Sequence, residues 1–132
     1  MKNILIIENS SLDVKLTRSH YINYLKEKSY GDIDLLVLSD ISPNKIIQIV
    51  WCFFYLILKS KKYSIIHGFR FEATTAISIF SLLNKNIKLV STITGLGNFH
   101  QRNKILKKIW KKLILFSIRK NNVVSVQNTD DA

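Results

Sequence analysis

Two of the chain's four glycines lie within three positions, in the segment Thr94-Gly95-Leu96-Gly97. Glycine turns easily at positive φ and lets a ligand approach the backbone closely. A Gly-x-Gly loop between a strand and a helix is how α/β proteins aim backbone N–H groups at phosphate. The same loop also serves as a plain strand-to-helix turn. One helix later comes Gln127-Asn128-Thr129-Asp130-Asp131, which puts Asn128 and Asp131 just past another apolar run, either at a site or in a capping turn. His67 and Arg70 follow a third such run; a histidine there either titrates near neutrality or is structural. His20, His67 and His100 are far apart, and no Cys/His cluster has metal-ligand spacing. The single cysteine, Cys52, excludes an intrachain disulfide and sits between Trp51 and Phe53, as a small core residue would.

These residues need a scaffold, and the hydrophobic pattern supplies one. Residues 4–7, 33–38, 64–67, 87–93 and 123–126 are short apolar runs suited to buried strands. Gly68 is expected to end the third. Between them, residues 14–28, 46–58, 71–83 and 104–120 show helical spacing or length. Pro43 is expected at the first position of the second helix. The alternation predicts an α/β Rossmann-like domain spanning 1–132, a parallel sheet with helices on both faces. Residues 46–58 are almost wholly apolar but fall short of the roughly 20 needed to cross a bilayer. They are read as a helix packed on the sheet or grazing a membrane, a place that Trp51, Phe53, Phe54 and Tyr55 would suit. Met1 leads directly into a strand-like run, so no signal peptide is expected and the cytoplasm is the default.

The formal charge of +11 calls for an anionic partner. Much of it lies on the last helix, where Lys104, Lys107, Lys108, Lys111 and Lys112 fall on one side and Leu106, Ile109, Trp110, Leu113 and Ser117 on the other. A lysine face over an apolar stripe with a tryptophan fits a solvated outer helix or a membrane-surface element. Lys107, Lys108, Lys111, Lys112 and Trp110 are the candidate membrane contacts. Each lysine at an anionic leaflet contributes about 1 kcal/mol. No zinc-finger spacing, RNP-type strand or helix-turn-helix pattern accompanies the charge, which disfavours nucleic acid as the partner.

The opening Ile4-Leu5-Ile6-Ile7-Glu8-Asn9-Ser10 is similar to the start of response-regulator receiver domains. Those require paired acids after the first strand, an aspartate after the third and a lysine after the fifth. Here Glu8 stands alone, Asp40 comes one strand early and no lysine follows Val126. A longer resemblance covers nearly the whole chain. Thr92-Ile93-Thr94-Gly95-Leu96-Gly97, a basic helix and then Val126-Gln127-Asn128-Thr129-Asp130-Asp131 resemble the amino-terminal half of bacterial family 4 glycosyltransferases, which have the GT-B fold and build surface glycans. Asn9 and Arg18 match that family's early polar and arginine positions, and Ser42-Pro43 and Ile65-Ile66-His67 also fit.

The resemblance implies an acceptor-side half whose acceptor is a polyprenyl-diphosphate-linked sugar or another surface-glycan precursor. Thr94, Gly95, Leu96, Gly97, Asn128, Asp131, Asn9 and Arg18 would line the cleft. It implies no cofactor in this chain, a nucleotide-sugar donor for the full enzyme, and a donor-binding domain supplied elsewhere, since no Glu-x7-Glu segment occurs here. It also implies peripheral attachment at the cytoplasmic face of the plasma membrane. The alternative from another class is a non-catalytic basic module that binds membrane or a partner.

Overall fold

The computed structural model describes residues 3–28, 30–93 and 104–126, apart from the side chains of Asp13, Leu106, Lys107, Trp110 and Val126. Five strands, β1 (Ile4–Glu8), β2 (Ile33–Val37), β3 (Ile65–Phe69), β4 (Lys88–Ile93) and β5 (Val123–Val126), form one sheet in the order β2-β1-β3-β4-β5. All pairings are parallel. β1 is apolar until its last residue and buried throughout, as a central strand covered on both faces must be. The strand order reverses between β1 and β3, so the carboxyl ends of these two strands flank the crevice where ligands bind in open α/β sheets.

Between β1 and β2 the chain runs without interruption through α1 (Ser11–Asp13), a π-helical stretch (Val14–Arg18) and α2 (Ser19–Glu27). This helix covers one face of the sheet, where Leu25, Tyr21 and Ile22 pack on Ile4, Ile6, Ile33 and Ile65. On the other face α3 (Lys45–Lys59) and α4 (Arg70–Phe80) pack over Leu5, Ile7, Ile66 and Leu89, with Cys52, Leu56, Ala73, Ala76, Ile77 and Phe80 inside the core. α5 (Lys104–Lys120) lies beside α4. Small residues such as Ala73, Thr75, Ala76 and Ser78 are buried on α4 and let its neighbours close over it. Helices on both faces of a parallel sheet are thus the architecture that the alternation predicts.

Details depart from the pattern for identifiable reasons. Gly68 lies inside β3 and does not end it. A Cβ there would come within 3.1 Å of Ile77 Cδ1 and 3.3 Å of the Ala73 backbone, so the glycine lets α4 approach the strand. Pro43 precedes α3 by one further residue, and the cap is Asn44. Its Oδ1 accepts hydrogen bonds from the N–H groups of Ile46 (2.9 Å) and Ile47 (3.3 Å). The π-helical stretch shifts the helical phase, so that Leu16 faces solvent while Arg18 turns inward. On α5, Ile109 was expected on the packed side but is half exposed, because the tight contact comes further along, at buried Ser117. There the Asn121 amide bridges Ser78 Oγ and the Ser117 carbonyl, joining the end of α5 to α4. Among the described residues no helix is long and apolar enough to cross a membrane.

Candidate functional site

A polar cluster occupies the carboxyl edge at the β1/β3 crevice. Its base is Glu8, the last residue of β1, which is fully buried. A buried carboxylate needs a partner, and Arg18 supplies one: its Nε lies 2.9 Å from Glu8 Oε2. Glu8 Oε1 accepts the N–H of Asn9 at 2.8 Å. The π-helical stretch ends at Arg18 and brings it over the strand. The guanidinium also stands 4.1 Å from the centre of the Phe69 ring, a cation–π contact at the end of β3.

His67 is the second element. Its ring stacks on Phe69 at 4.1 Å, and Tyr21 meets both rings edge-on. Nδ1 pairs with the Tyr21 hydroxyl and Nε2 with Thr92 Oγ1, both at 2.9 Å. A neutral imidazole satisfies this arrangement, with one nitrogen donating and the other accepting. Burial, and then the charge of Arg18, lower the His67 pKa from 6.5 to about 4. The ring is therefore neutral at physiological pH with both nitrogens engaged. It ties α2, β3 and β4 together rather than offering itself as a base. Burial also raises the Tyr21 hydroxyl above its ordinary range.

Arg70 opens α4 on the same edge with φ at 66°, the left-handed region that a non-glycine residue enters at a cost of about 1–3 kcal/mol. Glu72, in the first turn of α4, is buried and pairs with Lys45 at 3.1 Å. Asn9 sits where β1 meets β2: its carbonyl accepts the Ser39 N–H at 2.8 Å, and its Oδ1 is buried with no hydrogen-bond partner among the described residues.

The structure thus brings Asn9 and Arg18 to one edge, with His67 and Arg70. Thr94, Gly95, Leu96, Gly97, Asn128 and Asp131 lie outside the described residues. The strands that lead to them end side by side, because Ile93 of β4 and Val126 of β5 are register partners. Both motifs therefore begin from neighbouring points on the carboxyl edge. Lys108, Lys111 and Lys112 are exposed on α5; the side chains of Lys107 and Trp110 are outside the description. Glu8, Tyr21, Phe69 and Thr92 were not among the expected site residues. Glu8 could have been found as a lone acid ending a buried strand with an arginine one short helix later.

Among the described residues of this edge, Glu8 is paired with Arg18 and both nitrogens of His67 are engaged, and the described residues hold no group of three or more His, Cys, Asp or Glu able to bind a metal. Cys52 lies away from the edge in the core, where burial pushes its thiol up to about 12, too high for a nucleophile. A cavity of about 220 Å³ lined by Asn84, Lys85, Leu89, Arg119 and Asn122 lies at the opposite, amino edge of β4. Its cations, Lys85, Arg119 and Lys120, stand at helix carboxyl termini, where they offset the dipoles; the carboxyl edge, where the strand order reverses, is the better candidate.

No family model matches the chain, and no curated protein matches it. Among solved structures it is similar to a protein described as pilus assembly-related from Burkholderia pseudomallei. The identity is 14% and the TM-score 0.53, and the match covers 96% of this chain and 78% of that one. At that identity the likeness speaks to the fold alone.

Proposed function

We propose that this chain is the acceptor-side Rossmann-like half of a GT-B glycosyltransferase, working on a polyprenyl-diphosphate-linked sugar or a related surface-glycan precursor. One observation carries the reading. The strands preceding Thr94-Gly95-Leu96-Gly97 and Gln127-Asn128-Thr129-Asp130-Asp131 are adjacent and in register, so two motifs distant in sequence start together on the edge where this fold binds ligands.

In this reading Asn9 and the Gly-x-Gly loop face the acceptor, and Arg18, locked to Glu8, holds the crevice floor in shape. Backbone N–H groups of the loop meet diphosphate oxygens. The nucleotide-sugar binds chiefly to a partner domain, and transfer takes place between the two. The chain works peripherally at the cytoplasmic face of the plasma membrane, where such acceptors reside, and its lysines meet anionic headgroups.

Calorimetry with a short-chain prenyl-diphosphate-linked sugar and, separately, with a nucleotide-sugar tests this. Saturable binding of the lipid-linked sugar, much tighter than of the nucleotide-sugar, is expected. Tight nucleotide-sugar binding with no affinity for the lipid-linked sugar would overturn the assignment.

A further inference from the structure

The outward side of α3 plays no part in the carboxyl-edge site. Gln48, Cys52 and Leu56, spaced by four, form its buried stripe. Ile47, Val50, Trp51, Phe54, Ile57 and Leu58 are all exposed, between 39% and 75%, and follow helical spacing along the other side. No polar residue interrupts them. A contiguous apolar surface of this kind marks an interaction site.

The distribution of charge selects the occupant. Residues 41–126 carry fifteen of the twenty lysines and arginines and a single acid, Glu72, which is buried. The other acids lie between positions 8 and 40 or at 130 and 131. A second copy docked through α3 would bring two chains of charge +11 together. Lys45 at one end of the helix is already paired with Glu72, and α3 carries no acid that could pair the Lys59 of a facing copy. An anionic bilayer meets both needs, with acyl chains for the apolar side and phosphates for the lysines.

α3 spans 15 residues, roughly 22 Å, too short to cross a bilayer and long enough to lie in its plane. Trp51 and Tyr55 stack at 5.3 Å, a ring pair suited to the headgroup region. Lys45 and Lys62 are held by Glu72 and Asp34, while Lys59 and Lys61 are exposed at the carboxyl end of the helix. α4 is sunk between α3 and α5, so the exposed Lys108, Lys111 and Lys112 of α5 border the same helical layer.

We propose that α3 is an interfacial anchor, lying in the headgroup region of an anionic membrane with its apolar side inserted and the lysines of the α3–α5 layer at phosphate level. This extends the peripheral attachment assigned above from charge to insertion. It rests on the exposed side of α3 and the lysines that border it, and does not depend on what binds the carboxyl edge.

The test uses the full chain carrying Trp110→Phe, so that Trp51 is the only tryptophan. On vesicles of phosphatidylcholine containing phosphatidylglycerol, Trp51 emission shifts to the blue and is quenched by shallow brominated lipid; on pure phosphatidylcholine it is not. The pair Phe54→Asp and Leu58→Asp lowers partitioning by roughly tenfold or more without moving the urea midpoint, since both side chains are exposed. Val50→Asp repeats the test at a separate position. An unshifted Trp51 spectrum on anionic vesicles would overturn the proposal, as would Asp variants that bind like the parent. So would a concentration-dependent dimer that the same variants dissociate while the parent ignores vesicles. None of these outcomes touches binding of the prenyl-linked sugar, so the two readings fail separately.

Discussion

Replacing Arg18 by alanine should cost this domain a large part of its stability. The substitution leaves Glu8 fully buried with the Asn9 N–H as its one remaining described partner, where it now has that bond and a 2.9 Å ion pair. Removing one member of a buried pair costs about 3–5 kcal/mol, because the other charge stays uncompensated. Loss of the guanidinium over Phe69, now 4.1 Å from the ring centre, adds about 1 kcal/mol. Small domains have about 5–15 kcal/mol in total, so the variant should melt roughly 10–20 °C lower. Urea and thermal unfolding followed by circular dichroism measure this directly. The double variant Glu8→Gln with Arg18→Met removes both charges and keeps an acceptor for Asn9, and it should recover to within about 1 kcal/mol of the parent. A loss below about 1 kcal/mol for Arg18→Ala, or a double variant as unstable as the single, would refute the account of the crevice floor.

Three further outcomes are expected. His67 has its folded-state pKa lowered from 6.5 to about 4, so its contribution is complete above pH 6.5 and is lost as pH falls through 4; the amount is on the order of 3 kcal/mol. Urea midpoints between pH 7 and pH 4, with His67→Gln as control, should show this slope in the parent and a flatter one in the variant. Gly68→Ala forces a methyl to 3.1 Å from Ile77 and 3.3 Å from the Ala73 backbone, and should cost about 1–3 kcal/mol in the same assay; an unchanged midpoint would mean that α4 is not held as close to β3 as described. The isolated chain should not transfer sugar from a nucleotide-sugar, and robust turnover in a radiolabel transfer assay would contradict the half-enzyme reading.

The fold was legible because its signals are local. Apolar runs of strand length alternate with helical patterns, and short connections between them leave a parallel sheet as the solution. The crevice was legible only in part. Asn9 and Arg18 were expected there through resemblance, but the reason Arg18 turns inward is a buried acid ten residues away and a π-helical shift that periodicity does not encode. Similarly, Gly68 reads locally as a strand breaker and acts as a close-approach point, because its role depends on Ala73 and Ile77 across the layer. The His67 triad joins residues 21, 67 and 92, a separation that no spacing rule spans. On α3, composition revealed an apolar helix but not which side stays uncovered, since that depends on how α4 packs against it.

The most direct test of the central claim is a residue-resolved one. Amide and methyl NMR spectra of the chain should be recorded during titration with a prenyl-diphosphate-linked sugar in lipid nanodiscs, against empty nanodiscs as reference. The account predicts that the sugar-dependent shifts gather at Asn9, Arg70, Ile93 and Val126, on the carboxyl edge. Shifts gathered instead at Lys85, Leu89, Arg119 and Asn122, around the cavity on the opposite edge, would contradict it, as would spectra that respond to the nanodisc but not to the sugar.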